Sequence, residues 1–319
     1  VADGSATRQV RGWDQATQGL VGASVLAARL LGLDRQQMGH AISLAVSSHL
    51  SVGQIRAGQI SHWKGCAVGN ASRNAVFCSM LAAKGMTGPN YVFEGPSGYF
   101  NATGGPFDVD LYNGKDGSFK IMSACIKPFP SGYFSQSAIE AVQALRPMVS
   151  NIDDIKEITL NTFPHGFNAM GSDESRWMPE TRETADHSLP FVMAVTLMDG
   201  KVEVRHYDEE YFKRPDVRAL MAKIKVRVGE ESVKAWPDVP LNVVDCEMNS
   251  GQVHSTRVSQ HLGHFQRLMT DVEQENKFRP LAEEYAGLPT AQVDRLLDRL
   301  RNLEQVQEIG ELLGLTIAP

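Results

Sequence analysis

The stretch IKEITLNTF, residues 155–163, decides the fold class, because the periodicity of the sequence changes there. Its apolar residues alternate with polar ones, which predicts a β-strand. Two more short runs follow, Val243 to Met248 and Gln252 to Val258, and the turn Asn249-Ser250-Gly251 between them predicts a hairpin. These strands predict an α+β segment in the middle of the chain.

The sequence on both sides of these strands has a helical pattern, and a glycine-rich stretch at residues 94–117 predicts a connecting loop. We predict a mainly α fold with an α+β insert. In this fold a helical domain, residues 1–121 and 259–319, is interrupted by a smaller α+β lid domain, residues 122–258. The predicted helices are Gln18 to Leu31, one that begins with the capping box of Asp34 and Gln37, Gly65 to Lys84, Ser135 to Leu145, Pro215 to Lys223, Val272 to Tyr285, Thr290 to Leu303, and Val306 to Leu313 with Gly314 as its stop.

The composition argues against several classes of function. The chain has 319 residues, a formal charge of −6 and no basic stripe, which disfavours nucleic-acid binding. No stretch approaches the roughly 20 apolar residues that span a bilayer, and the residues after Val1 do not resemble a signal peptide. We therefore expect a cytoplasmic protein, and the abrupt start at Val1 suggests that sequence is missing upstream.

The spacing of the cysteines and the absence of common catalytic motifs from the sequence argue against several types of site and reaction. The sequence has no G-x-G-x-x-G after a strand and no Walker A, H-E-x-x-H or G-x-S-x-G motif, so hydride transfer, phosphoryl transfer, zinc hydrolysis and serine hydrolysis lack their usual residues. The cysteines form no CxxC pair, so we expect buried, reduced thiols rather than disulfides or an iron–sulfur cluster. The four cysteines are Cys66, Cys78, Cys125 and Cys246.

Two polar stretches place charged residues at the ends of predicted helices. Lys64 stands at a helix start, where a cation opposes the helix dipole. It is either a solvated lysine or a group that an anionic ligand joins. Arg182, Asp186 and His187 crowd into one turn before an apolar helix, and a histidine beside a carboxylate is a ready acid or base near neutral pH. His62 is a reserve candidate for that role.

Two further stretches each leave two interpretations open. Asp14 and Thr17 precede the first predicted helix, where they serve either as N-caps or, together with Gln15, as contacts for a bound anion or substrate. Lys127 lies between an apolar residue and a proline, an arrangement that is also common in surface turns.

Several segments of the chain resemble the MmgE/PrpD family, whose members include 2-methylcitrate dehydratase and cis-aconitate decarboxylase. The matching segments occur in the family's order along nearly the whole chain, and ETADHSLP with its upstream Trp-x-Pro is the most specific of them. The segments are LLGLDRQQMGHAISLA, HWKGCAVGNASRNAVF, KGMTGPNYVFEG, the Lys127 turn followed by SQSAIEA, WMPETRETADHSLPF and KFRPLA.

The resemblance implies a fold and a set of site residues. It implies a helical domain built from both ends of the chain, an inserted lid domain, a homodimer, and a site in the cleft that needs no cofactor and no metal. Carried over by position, Lys64 matches the lysine of the family's helix-start motif and Lys127 the lysine at the lid hinge. Asp186 and His187 match the pair before the lid helix. No nucleic-acid or membrane partner is expected.

The implied reaction is the dehydration of 2-methylcitrate or a similar small polycarboxylate, which implies a role in propionate metabolism. Dehydration removes a weakly acidic proton alpha to a carboxylate, so positioned cations must stabilise the developing charge. We expect Lys64, Lys127 and Arg182 to do this and to hold carboxylates. His187 is the predicted acid or base, and Asp186 is expected to orient it.

The sequence departs from the family's pattern at several positions. Gln15 stands where relatives commonly have histidine, Gly132-Tyr133-Phe134 occupies the place of a histidine after the hinge lysine, and Phe167 aligns with a tyrosine of the decarboxylase. The family's upstream helical segment is expected to be missing. Three hypotheses therefore stay open: a hydro-lyase, an epimerase or isomerase of an acidic metabolite, and a catalytically silent ligand-binding paralogue.

Overall fold

The computed structural model describes residues 12–106 and 119–319, and within them the chain is mainly helical with one small sheet. None of the helices in these ranges is both long and apolar enough to cross a membrane. The helices are α1 (Gln15–Leu30), α2 (Arg35–Ser48), α3 (Trp63–Ala83), α4 (Tyr99–Thr103), α5 (Gln136–Leu145), α6 (Pro164–Met170), α7 (Arg182–Ala185), α8 (Leu189–Asp199), α9 (Glu209–Phe212), α10 (Pro215–Met221), α11 (Glu230–Ala235), α12 (Asp271–Pro280), α13 (Thr290–Arg301) and α14 (Gly310–Leu315), and the strands are β1 (Ile155–Thr162), β2 (Ile224–Val228), β3 (Asn242–Met248) and β4 (Val253–Val258).

The first three helices pack against one another through small side chains. The predicted capping box of Asp34 and Gln37 is confirmed at the start of α2. The long predicted loop contains the short helix α4, and its residues 107–118 lie outside the described residues. Small residues allow the helix backbones to approach closely, which positions the start of α3 for the site described below. The buried residues shared by these helices are Ala16, Leu20, Ala45, Ala67, Ala71, Ala75 and Cys78.

The sheet is mixed, with the strand order β2-β1-β3-β4. β1 runs parallel to β2 and antiparallel to β3, so that Ile158 pairs with Ile224 on one side and with Cys246 on the other. The predicted hairpin is confirmed, and in its turn the amide of Gly251 donates to the carbonyl of Met248 at 2.9 Å. The edge strand β2 was not predicted.

Helices α5 and α8 cover the sheet and form the largest core with it. All residues of α8 from Leu189 to Leu197 are buried. A helix that is apolar on every side is stable only inside a core. Because α8 cannot rotate or slide without exposing apolar surface, it holds the polar residues before its first turn in a fixed place. Mainly α structure with an α+β part is therefore confirmed.

Packing divides the chain into two compact units. The larger unit consists of Val1–Ser123 and Phe129–Gln260, and the smaller unit consists of Ala124–Pro128 and His261–Pro319. These ranges differ from the predicted domain ranges 1–121, 122–258 and 259–319, and the closing of the segment 122–258 as a lid stays a prediction.

The smaller unit corrects two helix predictions. The predicted helix over 272–285 is α-helical only to Pro280 and continues as a π-helical turn over Leu281–Tyr285. The last helix is Gly310–Leu315 rather than 306–313, so Gly314 lies inside it and does not stop it. Arg279 of the KFRPLA segment links two helices of this unit, because its guanidinium bonds carboxylates on α12 and α13.

Candidate functional site

Lys64, Asp186 and His187 converge within the larger unit. The Nζ of Lys64 lies 3.1 Å from Nδ1 of His187 and 3.9 Å from Oδ1 of Asp186. The same Nδ1 is in hydrogen-bond contact with Oδ1 of Asp186. The three side chains keep 15%, 29% and 19% of their exposure, respectively, so the cluster is partly buried and still accessible to a small ligand.

Side-chain capping explains why the segment around Asp186 and His187 folds as two short helices. Thr181 caps α7 by accepting from the amide of Thr184, and Ser188 caps α8 by accepting from the amide of Phe191. The two polar residues occupy the corner between these caps. Their backbone is fixed because α8 is anchored in the core.

The same two threonines bring α3 to this corner. The hydroxyl of Thr181 donates to the carbonyl of Ile60 at 2.7 Å, and the amide of Ile60 donates to the hydroxyl of Thr184 at 2.7 Å. Ile60 is buried and precedes α3 by only a few residues. This double contact places Lys64, in the first turn of α3, beside His187.

The protonation of His187 follows from its neighbours. A ring nitrogen carries either a hydrogen or a lone pair, so Nδ1 can donate to Asp186 or accept from Lys64, but not both. With its hydrogen on Nδ1, His187 donates to Asp186 and carries its lone pair on Nε2. Burial lowers the pKa of His187, the hydrogen bond to Asp186 offsets part of that shift, and the charges of Lys64 and Arg176 lower the pKa further. The ring is therefore neutral at pH 7, as a general base must be.

Arg176 is a site residue that the sequence analysis missed. Its buried guanidinium donates to the carbonyls of Arg56 at 3.0 Å, Gly58 at 2.9 Å and Ala169 at 3.3 Å. Its own carbonyl accepts from the hydroxyl of Ser188. Arg176 thus ties the loop before α3 to the cap of α8 and adds a positive charge near His187. Its only sequence signal is its place directly before the Trp-x-Pro of the family motif.

The structure gives Asp14 and Thr17 partners inside the fold. Asp14 is buried, accepts from the amide of Ala16 as N-cap of α1, and forms an ion pair with Arg56. The hydroxyl of Thr17 donates to the carbonyl of Ser51 and accepts from its amide, both at 2.9 Å. The capping interpretation of Asp14 is confirmed. A role in binding substrate stays a prediction for both residues.

Gln15, Arg182 and His62 are more exposed. Gln15 is the first residue of α1 and is exposed. Arg182 lies 3.6 Å from Asp208 with about half of its side chain exposed (47%), so its guanidinium remains accessible to a ligand. The side chain of His62 is 93% exposed and lies 3.6 Å from Glu183, outside the contacts of the Lys64 cluster. Their predicted roles in binding substrate, and that of His62 as a reserve acid or base, stay predictions.

Lys127 belongs to the smaller unit, where its segment pairs with the loop before α12. The amide of Ile126 donates to the carbonyl of Gly263 at 2.8 Å. Gly263 has φ +84°, and a Cβ atom there would lie 2.2 Å from the carbonyl oxygen of Ile126, so only glycine permits this pairing. Burial lowers the pKa of Lys277 on α12, and the charge of Lys127 lowers it further, so these two lysines lie close enough to repel.

Two of the positions that depart from the family's pattern are Gly132, which lies near His187, and Phe134, which packs on the apolar core. Gly132 packs against the His187 ring, since a Cβ atom there would lie 3.4 Å from its Cδ2. Phe134 packs on the core through edge contacts with Phe163 and Trp236. No group of three or more His, Cys, Asp or Glu side chains arranged to hold a metal ion occurs in the described parts of the chain.

Sequence comparison relates this chain to known proteins. Residues 1–111 match the MmgE/PrpD N-terminal domain, and residues 129–303 match the MmgE/PrpD C-terminal domain. The chain is 24% identical to the cis-aconitate decarboxylase of Homo sapiens over 313 residues, which covers 94% of this chain and 62% of that protein.

Two dehydratases are similarly related. The mitochondrial 2-methylcitrate dehydratase of Yarrowia lipolytica is 26% identical over 300 residues, with coverage of 87% and 55%, respectively. The 2-methylcitrate dehydratase of Salmonella typhimurium is 25% identical over 297 residues, with coverage of 87% and 59%. The chain therefore spans about three fifths of the length of these relatives. Because the two domain matches together cover most of its residues, this chain belongs to the MmgE/PrpD family.

Proposed function

We propose that this chain is a lyase that dehydrates a small polycarboxylate, 2-methylcitrate or a close analogue, without a cofactor. The observation that carries the proposal is the contact of a partly buried, neutral histidine with both a carboxylate and a lysine at Asp186, His187 and Lys64. A neutral imidazole next to a cation combines a base with a group that attracts carboxylates. The dehydratases and the decarboxylase among the relatives support the same class of substrate.

In the proposed mechanism Nε2 of His187 removes the proton alpha to a substrate carboxylate. Asp186 holds the ring through Nδ1 and stabilises the imidazolium that forms. The electron pair of the broken C–H bond forms the double bond as the C–O bond to the hydroxyl group breaks. The departing hydroxide takes a proton from the imidazolium, so that the products are an alkene and water and His187 returns to its neutral form.

Positive side chains are needed because negative charge develops on the substrate as the proton is removed and the hydroxide departs. Lys64 lies beside His187 and is proposed to bind the carboxylate next to the reacting carbon. Arg182 is proposed to hold a second carboxylate, for which the flat guanidinium is suited. Lys127 is proposed as a third cation on the strength of the family resemblance.

The proposal is tested by incubating the purified protein with 2-methylcitrate, citrate and cis-aconitate in the presence of a chelator. Alkene absorbance follows the reaction, and NMR identifies the products. We expect alkene formation from a hydroxy acid that survives chelation and is lost in Lys64→Ala and His187→Ala. Lys84→Ala, at the exposed end of the same helix α3, and His254→Ala, on β4, are the matched controls and are expected to keep activity.

The same assay separates the alternative functions. Exchange of the alpha proton with deuterium from the solvent, without loss of water, would indicate an epimerase or isomerase instead. Carbon dioxide released from cis-aconitate would indicate a decarboxylase. A folded protein that binds these acids and changes none of them would be the silent paralogue and would contradict the proposal.

We also propose a homodimer, as the family resemblance implies. The outward side of α3 supports this proposal, because Val76, Phe77 and Met80 are 47%, 55% and 55% exposed, respectively. Apolar side chains in this number on one helix face commonly mark a protein–protein interface. Light scattering coupled to size exclusion is expected to give twice the chain mass, and a monomer at all concentrations would contradict the expectation.

A further inference from the structure

A tight turn at Ser131 and Gly132 forms hydrogen bonds with the backbone of Asp186. The carbonyl oxygen of Asp186 accepts two hydrogen bonds, one from the amide of Gly132 and one from the hydroxyl of Ser131, both at 2.9 Å. Both bonds lie in the larger unit, and Ser131 is buried. A carbonyl with two fixed donors loses most of its freedom to rotate, so the turn fixes the peptide that joins Asp186 to His187.

The turn is itself held in place from α5. The side-chain amide of Gln136 is fully buried, donates to the carbonyls of Ser131 at 3.3 Å and Gly132 at 3.2 Å, and accepts from the amide of Phe129 at 3.0 Å. The hydroxyl of Ser135 lies 2.7 Å from that of Ser131. Because the single hydroxyl hydrogen of Ser131 is donated to Asp186, the hydrogen in this contact comes from Ser135, which thereby supports the orientation of the Ser131 hydroxyl.

The turn also limits the space of the His187 ring. A Cβ atom on Gly132 would lie 2.8 Å from Cε of Met170, 2.9 Å from its Sδ and 3.4 Å from Cδ2 of His187. The backbone of Gly132 thus fills the space that a side chain would need. The phenol of Tyr207, which interacts with Ser131, is buried, and burial and the charge of Asp186 raise its pKa, so it stays protonated.

We propose that Ser131 is a positioning residue: its hydroxyl, acting through the Asp186 carbonyl, sets the place and the burial of the His187 ring for proton abstraction. This proposal rests on the proposed function only for the proton-abstraction step, since the positioning of the ring does not depend on any substrate.

The experiment measures the titration of His187 directly. Histidine labelled with ¹³C at Cε1 is incorporated into the full chain, and the His187 signal is assigned by its loss in His187→Gln. The charged groups around the ring are Asp186, Lys64 from α3 and Arg176, and the variants leave all three unchanged. Ser131→Ala removes the hydroxyl, Ser131→Thr retains it, and Ser24→Ala is the matched control, because Ser24 is a buried serine that also donates to a carbonyl, that of Leu20 at 2.8 Å.

We expect the His187 midpoint in Ser131→Ala to rise by roughly half a pH unit towards the value of an exposed histidine, because a loosened ring is better hydrated. Ser131→Thr and Ser24→Ala are expected to titrate like the unaltered protein. If Ser131→Ala fails to fold, Ser135→Ala replaces it in the experiment. This variant removes the hydroxyl that supports Ser131 and is expected to move the His187 midpoint in the same direction. An unchanged midpoint in the folded Ser131→Ala or Ser135→Ala protein would overturn the proposal.

Turnover separates this inference from the proposed function. Where the unaltered protein dehydrates its substrate, Ser131→Ala is expected to lower kcat about tenfold with little change in KM, as the loss of one positioned hydrogen bond predicts. A shifted midpoint in a protein that turns over none of the acids would support positioning and reject the lyase. Normal turnover with an unshifted midpoint would support the lyase and reject the positioning role of Ser131.

Discussion

The Nζ of Lys64 lies 3.1 Å from Nδ1 of His187, although 123 residues separate them along the chain. The contact exists because Thr181, the N-cap of α7, and Thr184 within α7 bond the two backbone groups of Ile60 just before α3 begins. A cation placed so close to an imidazole disfavours the charged form of the ring. In the proposed mechanism Lys64 therefore serves the base in two ways, by attracting an anionic substrate and by keeping His187 neutral.

The first prediction concerns the charge of Lys64. Lys64→Met retains most of the side-chain volume and removes the charge, so the pKa of His187 is expected to rise towards the ordinary value of about 6.5. NMR titration of His187 should show this rise in the midpoint and needs no turnover, since a variant without the Lys64 charge is expected to be inactive. Lys84→Met, at the other end of α3, should leave the His187 midpoint unchanged. A midpoint that falls or stays constant in Lys64→Met would show that the lysine does not act on the ring.

The second prediction concerns Arg176. Arg176→Lys keeps a positive charge but cannot reach all the carbonyls that the guanidinium bonds, so it leaves buried acceptors without donors. We expect a loss of about 3 kcal/mol in the free energy of unfolding, measured in urea. Arg257→Lys, whose partner Glu231 is exposed like Arg257 itself, is the control and should cost less than about 1 kcal/mol. Equal effects of the two substitutions would contradict the assigned role.

The sequence was sufficient to select Lys64, Asp186 and His187 as candidates, because a lysine at the wrong end of a helix and a histidine beside a carboxylate are locally unusual. Their distance could not be predicted, since it depends on threonine contacts between segments far apart in the chain. Arg176 was missed for a related reason. A buried arginine satisfied by main-chain carbonyls looks in the sequence like any surface arginine.

The strands show a similar limit. The sequence predicts β1 from the alternation of its apolar and polar residues, and it predicts β3 as one arm of the hairpin around Asn249-Ser250-Gly251. In the structure the burial of both strands alternates. β2 is an edge strand of five residues, Ile224–Val228, of which only the first is fully buried. Its position is fixed by parallel pairing with β1, a long-range contact that leaves little periodic signal in so short a segment.

The third prediction separates the two interpretations of Asp14. Asp14→Asn retains an N-cap acceptor for α1 but removes the charge that pairs with Arg56. If the role of Asp14 is to hold the fold, the unfolding free energy should fall by about 2 kcal/mol while KM of the folded protein stays the same. Asp34→Asn, at the exposed cap of α2, should change stability by less than about 0.5 kcal/mol. A large rise in KM with normal stability would instead support the predicted substrate contact.

The fourth prediction concerns the pH dependence of stability that arises at His206. This histidine is fully buried; its Nδ1 accepts from the amide of Glu203 at 2.9 Å, and its Nε2 lies 3.0 Å from Oδ2 of Asp199. Burial lowers its pKa, the charge of Arg205 lowers it further, and the carboxylates of Asp199 and Glu203 offset only part of the shift. Protonation would also place a hydrogen on the nitrogen that must accept from the Glu203 amide.

The sign of the effect follows from linkage. The unfolded chain binds a proton at His206 more readily than the folded chain does, so the contribution to stability is complete above about pH 6.5 and declines as the pH falls below that value. Urea unfolding of the unaltered protein should show a lower free energy of unfolding at pH 5.5 than at pH 7.5. In His206→Gln this decrease should be smaller by up to about 1 kcal/mol. His62→Gln, which replaces an exposed histidine, should behave as the unaltered protein does. His187 titrates with the same sign and is present in all three proteins, so it cancels in the comparison. Identical pH dependence in all three would mean that His206 is protonated as easily in the folded chain as in the unfolded one.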